Sequence, residues 1–291
     1  PSHYTVAVRK DKRIITKKGA VMEKKYRFLK LPVFRGFVNL AEMMVIGVKS
    51  LAWSADQASG VKESHGKAGI AFTILLSMGL AVVFFMALPY FLTGIIGFSE
   101  EKGPVSFNII DGIIRILVFL AYIFAISFIK DVRTLFRYHG AEHKAIHCYE
   151  HGEKLSVENV KKYTTLHPRC GTSFLLIVFI ISIIMFSFLP LALGFFYPEF
   201  PHFGIALRKG ILFPVRIALV PLIAGISYEV LKISDRRQKS SFFRIISAPG
   251  LALQKITTKE PSRKQIEVAI ASLKKLLKLE KNHRKKFNAK H

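Results

Sequence analysis

The side chains best suited to bind a metal ion are concentrated in one stretch of this sequence, residues 138–150, which separates two long apolar runs. Its core, His-x-x-Glu-His, is the inverted form of the zinc-protease motif, in which two histidines hold Zn²⁺ and the glutamate acts as general base. At about 100° per residue, a helix would place three histidines and two glutamates on one face about 140° wide. These residues are His139, Glu142, His143, His147 and Glu150.

A polar stripe of this kind is also typical of an amphipathic helix at a membrane surface, so the spacing alone fits either interpretation. A second pair favours the metal hypothesis, because His167 and Cys170 flank a turn-forming proline just before the next apolar run. Cys148 and Cys170 both lie in a segment that is predicted to be cytoplasmic. A reduced thiol there is expected as a ligand or as buried filler rather than in a disulfide.

The enzyme hypothesis assigns His139 and His143 as metal ligands and Glu142 as the base that activates a water molecule. The third ligand is open among His147, Glu150, His167, Cys170 and Glu229. Two histidines with one Cys or Glu and one open position suit Zn²⁺ and hydrolysis, whereas a filled four-ligand set would make the ion structural. Because three histidines on one helix span two turns, at least one ligand is expected from another segment.

The excess of hydrophobic residues and the excess of positive charge occupy different parts of the chain. Hydrophobic residues make up 51% of the sequence, yet the formal net charge is +25. The apolar residues form four runs, each long enough for a helix to cross a bilayer: 69–98, 105–130, 172–197 and 207–231. The sequence therefore predicts an α-helical polytopic membrane protein with four transmembrane helices in a membrane domain spanning residues 69–231.

Charged residues and prolines interrupt two of these runs. In the second run, Asp111 is expected to contact Arg115 four residues on or Arg216 on another helix; alternatively, Asp111 and Arg115 lie among the lipid headgroups. The fourth run also contains two prolines and Glu229, so it is the span expected to be kinked or to line a polar interior.

The distribution of Lys and Arg predicts the orientation in the membrane, because these residues are retained on the cytoplasmic side. Residues 1–68, 131–171 and 232–291 carry 14, 7 and 17 of them, whereas the connections 99–104 and 198–210 carry 1 and 2. Both termini are therefore predicted to be cytoplasmic. The His-rich stretch 131–171, with its His-x-x-Cys pair, and Glu229 would then meet at one cytoplasmic membrane boundary.

Three segments flank the membrane domain. Residues 1–30 are predicted to contain a small β-hairpin around a Lys-Asp-Lys turn. Residues 31–68 are predicted to form an interfacial amphipathic helix anchored near the interface by Trp53. The basic region 232–291 contains a predicted helix whose start, at Ser262 and Gln265, fits a capping box.

Several longer motifs resemble one bacterial membrane family, catalogued as domain of unknown function 1385. They occupy residues 138–150, 153–160, 166–176, 224–229, 247–251, 257–261 and 265–269, within a region of resemblance from 31 to about 271. The family is described as predicted metal-dependent enzymes without an established substrate. The resemblance thus implies a metal-dependent protein of the bacterial cytoplasmic membrane.

A hypothesis from a different class is a non-enzymatic membrane factor whose basic cytoplasmic face binds a large anionic partner. The numbers of basic residues exceed what orientation requires, and the run 274–286 would be attracted to anionic lipids or to a ribosome engaged with a protein translocation channel. Because that run has almost no aromatic residues, no sequence-specific nucleic-acid binding is expected. The histidines would then form a structural metal site or a hydrogen-bonded cluster.

Overall fold

Four helical stretches of this chain are long and apolar enough to cross a membrane: Leu75–Ile95, Pro104–Ile126, Gly171–Phe196 and Ala206–Arg236. The structure, a computed structural model, describes residues 2–21, 31–59, 67–100, 102–237 and 240–288. The prediction of a polytopic helical membrane protein with four spans is therefore confirmed. Parts of the predicted flanking segments, residues 1, 22–30, 60–66, 238–239 and 289–291, lie outside the described residues.

The helices follow one another in this order: α1 (Pro32–Ser59), α2 (Lys67–Val82), α3 (Leu88–Ile95), α4 (Pro104–Ile126), α5 (Lys130–Glu150), α6 (Val157–Lys161), α7 (Gly171–Phe196), α8 (Ile205–Arg236), α9 (Ser241–Thr257) and α10 (Arg263–Asn288). A π-helical turn, Val83–Ala87, joins α2 to α3 just before Pro89. The wider turn there coincides with the position at which proline cannot donate a helical hydrogen bond. Pro214 and Pro221 lie inside α8 without ending it.

The α7 helix packs between α4 and α8 in the membrane bundle. Two arginines in these spans have polar side-chain partners, as buried charges in an apolar medium require. Arg115 donates to Asp111 at 2.6 Å, and Arg216 on α8 donates to Asn108 on α4 at 2.9 Å. The predicted contact between Asp111 and Arg115 is therefore present.

The α1 helix packs along α8, as the contact between two glycines shows. A Cβ atom on Gly225 would collide with Val33, and one on Gly36 would lie 3.0 Å from the Gly225 Cα. At the same contact, Arg35 donates to both carboxylate oxygens of Glu229, with Nε 2.7 Å from Oε1. This bidentate ion pair directs Glu229 toward α1.

The predicted β-hairpin is present at the N-terminus. Strands β1 (His3–Lys10) and β2 (Arg13–Ala20) pair antiparallel, and Asp11 in the turn has a positive φ of 52°. The hairpin packs against α10, where the Thr5 hydroxyl donates to the Ser272 carbonyl oxygen at 2.9 Å.

Outside the spans, α5, α6 and α10 share an apolar core. Its buried members are Ala141, Ala145, Cys148, Leu155, Val160, Ile266 and Ile270. One half of the predicted capping box is present at the start of α10, because the Gln265 side chain accepts from the Ser262 backbone N–H at 2.8 Å. The Ser262 hydroxyl donates to the same Gln265 oxygen, while the Gln265 N–H bonds to the Ser262 carbonyl oxygen. Cys148 is therefore buried filler in this core, one of the two roles expected of it.

Two short stretches of chain complete this extramembrane part: the clamp segment, residues 254–259, and the corner, residues 165–170, which leads into α7. The Lys259 N–H donates to the Phe136 carbonyl oxygen on α5 at 3.0 Å. Gly140, one turn along α5, permits this approach, because a Cβ atom there would collide with the Lys259 carbonyl oxygen. The clamp segment thus lies directly on α5.

We predict that Gly140→Ala lowers the free energy of unfolding by about 1–3 kcal/mol, because the backbone of the clamp segment must move away from the added methyl group. Thermal unfolding of the detergent-purified protein measures this effect. Gly47→Ala is the matched control, since Gly47 also lies in a helix but an added Cβ would meet nothing within 4 Å. Equal stability of the two variants would contradict the prediction.

Candidate metal centre

Six of the residues proposed as ligands lie in two groups at the junction of α5 and the corner. The first group is His139, His143 and Cys170, and the second is His147, Glu150 and His167. Within each group, the candidate ligand atoms lie within 4.8 Å of one another. The three histidines of α5 are thus divided between the groups, in line with their spread over two helical turns.

Both histidines of the first group are oriented by backbone carbonyl groups. His139 Nδ1 lies 2.9 Å from the Thr257 oxygen, and His143 Nδ1 lies 2.5 Å from the Thr165 oxygen. A carbonyl oxygen only accepts, so the proton sits on Nδ1 in both neutral rings and the Nε2 lone pair is left for a metal ion. This arrangement is the usual one around metal-binding histidines.

Cys170 supplies a third ligand atom of suitable charge. Its Sγ lies 3.2 Å from His139 Nε2 and accepts from the Thr172 N–H at the start of α7. Burial by itself would raise the pKa of Cys170, but hydrogen bonds with His139, His143 and Thr172 outweigh it and lower this pKa to about 5. The thiolate, the form that binds metals, is therefore favoured.

The contact that lowers the pKa of Cys170 raises the pKa of His139. Burial opposes its protonation, but the hydrogen bonds to Cys170 and to the Thr257 carbonyl group outweigh burial and raise the pKa of His139. The buried contact between His139 Nε2 and Cys170 Sγ is a hydrogen bond whose proton a divalent cation would replace. The donor set of two imidazole nitrogens and one thiolate sulfur fits Zn²⁺ and leaves a fourth position open.

The second group forms a hydrogen-bonded network instead. His167 Nδ1 accepts from the Arg169 N–H at 3.2 Å, so the ring proton lies on Nε2, which faces Glu150 at 3.3 Å. Arg169 also binds Glu150, at 3.0 Å, and Asp235 at the end of α8, at 2.6 Å. Burial lowers the pKa of His167. Because the ring presents an N–H rather than a lone pair to Glu150, this group is less suited to a metal ion.

Gln254, in the clamp segment, holds the corner but was not among the predicted site residues. Its side chain accepts from the His167 N–H at 2.8 Å and donates to the His167 carbonyl oxygen at 2.9 Å. It also donates to Ser173 on α7 at 2.9 Å. Its partners are mostly backbone groups, which carry no residue-type signal, although the motif at 257–261 begins only three residues later.

Glu142 and Glu229 belong to neither group. Glu142 is exposed and, together with His139, lines a cleft of about 590 Å³ between β1, α5 and α10. The Glu229 carboxylate is engaged by Arg35 on α1 and lies outside both groups. The predicted orientation places Glu229, near the end of the fourth span, at the same membrane boundary as the His-rich stretch. Its side chain is directed toward α1 by the ion pair with Arg35.

Fold and site together define a class: polytopic helical membrane proteins with an extramembrane cluster of His and Cys side chains suited to a metal ion. Residues 31–279 match the family model described as "Protein of unknown function (DUF1385)", and the chain belongs to this family. The predicted family resemblance is therefore confirmed. The matched range includes every residue of both groups.

The chain is also similar to the uncharacterized protein YqhQ of Bacillus subtilis (strain 168). The two are 32% identical over 264 residues, covering 86% of this chain and 78% of that protein. No solved structure matches the chain.

We predict that the purified protein binds one divalent ion and that His143→Ala and Cys170→Ser each abolish this binding, since both remove a ligand of the first group. Elemental analysis by mass spectrometry gives the metal content per chain. Glu150→Gln is the matched control in the second group and is expected to retain the ion. Loss of metal in Glu150→Gln with retention in Cys170→Ser would assign the ion to the second group.

Gln254→Met should weaken metal affinity about 10–100-fold, the usual effect of removing an interaction that orients ligands. The physical reason is that the His167 backbone loses both partners and the corner that carries Cys170 is no longer held. Competition with a fluorescent zinc chelator measures the affinity. Gln265→Met, at the capping box, should reduce stability but not affinity, and an affinity loss of the same size there would argue against a specific role for Gln254.

Proposed function

We propose that this protein is a metal-dependent hydrolase whose ion is held by His139, His143 and Cys170. The observation that carries the proposal is the orientation of the two imidazole rings. Both Nδ1 atoms are bound to backbone carbonyl groups, at Thr257 and Thr165, so the Nε2 atoms are the ones left to bind an ion together with the Cys170 sulfur. Zinc is the ion that two nitrogens and one thiolate suit best.

When bound, a divalent ion with three protein ligands acts as a Lewis acid toward the scissile carbonyl group and lowers the pKa of water. Glu142 is the general base of this proposal. It is exposed on α5 and lines the same cleft as His139, so water and substrate can reach its carboxylate. Glu142 accepts a proton from the attacking water and returns it to the leaving group.

We infer that this site faces the cytoplasm at the inner membrane of a bacterium. The support is the distribution of Lys and Arg, of which the segments on one side of the four spans carry most. A reducing compartment also keeps Cys170 available as a thiolate ligand. The site's closeness to the spans is supported by the ion pair from Arg169 in the corner to Asp235 near the end of α8.

A second candidate function is docking to an anionic partner, a ribosome with its translocation channel or an anionic lipid surface. It is favoured by exposed lysines from the middle of α10 onward: Lys274, Lys275, Lys278 and Lys281. Such a cluster attracts phosphate groups in a salt-dependent manner. The side chains from Arg284 onward, which belong to the same predicted basic run, lie outside the described residues.

The two functions make different demands on Glu142. For the hydrolase, Glu142→Gln should lower kcat/KM about 10²–10⁴-fold at unchanged metal content, because the base is lost but no ligand is. Release of p-nitrophenol from p-nitrophenyl laurate measures the rate. Wild-type rates in Glu142→Gln would refute the assigned mechanism.

Substitution of Lys274, Lys275, Lys278 and Lys281 by Gln is the complementary change. The hydrolase proposal expects unchanged hydrolysis in this variant, whereas docking expects loss of co-sedimentation with ribosomes. Vesicles of phosphatidylglycerol in place of ribosomes separate attachment to lipid from attachment to the ribosome. Loss of ribosome binding combined with absence of hydrolysis in the wild type would favour the docking factor.

A further inference from the structure

The cleft beside the candidate metal centre has the composition of a site for a hydrocarbon chain. Its volume is about 590 Å³, within the range of pockets that bind small molecules. Its walls come from β1, α5 and α10, and most of the lining side chains are apolar: Val6, Ala7, Leu135, Phe136, Ala145, Ile146, Val268, Ala269, Leu273 and Leu276. A ligand that fills it must therefore be apolar over most of its length.

Polar groups that remain available to a ligand are few in this lining. Thr5 on β1 and Ser272 on α10 bond directly to each other, with their hydroxyl oxygens 3.1 Å apart, and each hydroxyl contacts the carbonyl oxygen of the other residue. His139 and Glu142 are the chemically active members of the wall. The cleft thus fits a molecule with a long apolar part and one reactive polar group.

The cleft also lies close to the membrane spans. Leu135 forms part of its wall and is 52% exposed, so it marks an open side. It lies within two turns of the start of α5, and α5 begins four residues after the end of α4. Phe128, in the short connection between α4 and α5, is exposed as well. Exposed apolar side chains therefore lie both on the connection after the α4 span and on the wall of the cleft.

We propose that this cleft binds the hydrocarbon chain of a long-chain acyl ester or amide, with the scissile carbonyl group next to His139 and Glu142. This rests on the proposed hydrolase function and specifies its substrate class. In the reaction, water oxygen forms a bond to the carbonyl carbon while the bond to the leaving oxygen or nitrogen breaks. The proton that Glu142 accepts from water goes to the leaving group, giving a carboxylic acid and an alcohol or amine.

The test is photolabelling of the full chain, reconstituted in lipid nanodiscs, with a palmitic acid that carries a diazirine near the end of its chain. Cross-linked peptides are identified by mass spectrometry and normalised to labelling of the four spans. We expect enriched labelling at Leu135, Ile146 and Leu273. Labelling confined to the spans would overturn the proposal, and this outcome is independent of any variant.

A cleft-filling variant provides the second measurement. Ala7→Trp, on β1, should reduce labelling of the cleft at least tenfold with metal content unchanged, because the indole occupies the space of the chain. Val8→Trp is the matched control, because Val8 is the next apolar residue of β1 and does not line the cleft. Undiminished labelling in folded Ala7→Trp protein would contradict the proposal.

The two proposals fail in different ways. Photolabelling of the cleft in a protein that binds no divalent ion would refute the hydrolase and leave the acyl-chain site standing. Stoichiometric metal without labelling of the cleft would refute the acyl-chain site and leave the metal centre standing.

Shortening a competing fatty acid from 16 to 12 carbons should weaken competition strongly, since each buried methylene contributes about fourfold to affinity.

Discussion

The clamp segment, residues 254–259, is the contact on which the candidate centre depends. It binds the corner through the Gln254 side chain and α5 through two backbone groups, the Thr257 carbonyl oxygen at His139 and the Lys259 N–H at Phe136. These contacts join helices that are far apart in the sequence. Backbone groups in buried surroundings need partners, so the orientation of the ligands and the stability of this part of the fold have the same cause.

The two groups of ligand-type residues show that the other hydrogen-bond partner of a histidine ring decides whether the ring can bind a metal ion. In the first group the Nδ1–H of each histidine donates a hydrogen bond to a backbone carbonyl oxygen. The Nε2 atoms are therefore the ones that face Cys170. In the second group the His167 ring accepts from Arg169 and presents its proton to Glu150. Similar residue types at similar distances therefore support a metal site in one case and an ion-pair network in the other.

The candidate site could be predicted from the sequence only in part. Its helix and its histidine face follow from the spacing of residues 139–150, because a helix has a fixed angular period. Cys170 was one of five open choices for the third ligand, and Glu229 looked equally plausible from its position in the chain. The direction of the Glu229 side chain depends on two other residues. Gly225 lets α1 approach α8, and Arg35 on α1 binds the Glu229 carboxylate. Neither residue lies in a local sequence pattern that would identify its partner.

The sequence by itself determined the four spans, the hairpin, the capped start of α10 and the family, because each depends on local apolar content, periodicity or motif. Only the tertiary structure decided which ligand-type side chains meet, which nitrogen of each ring is free, and that a cleft opens beside His139 and Glu142. The reason is physical. Local patterns fix the direction of a side chain relative to its own helix, whereas contacts between helices depend on close backbone approach and on backbone hydrogen bonds, which any residue type can make.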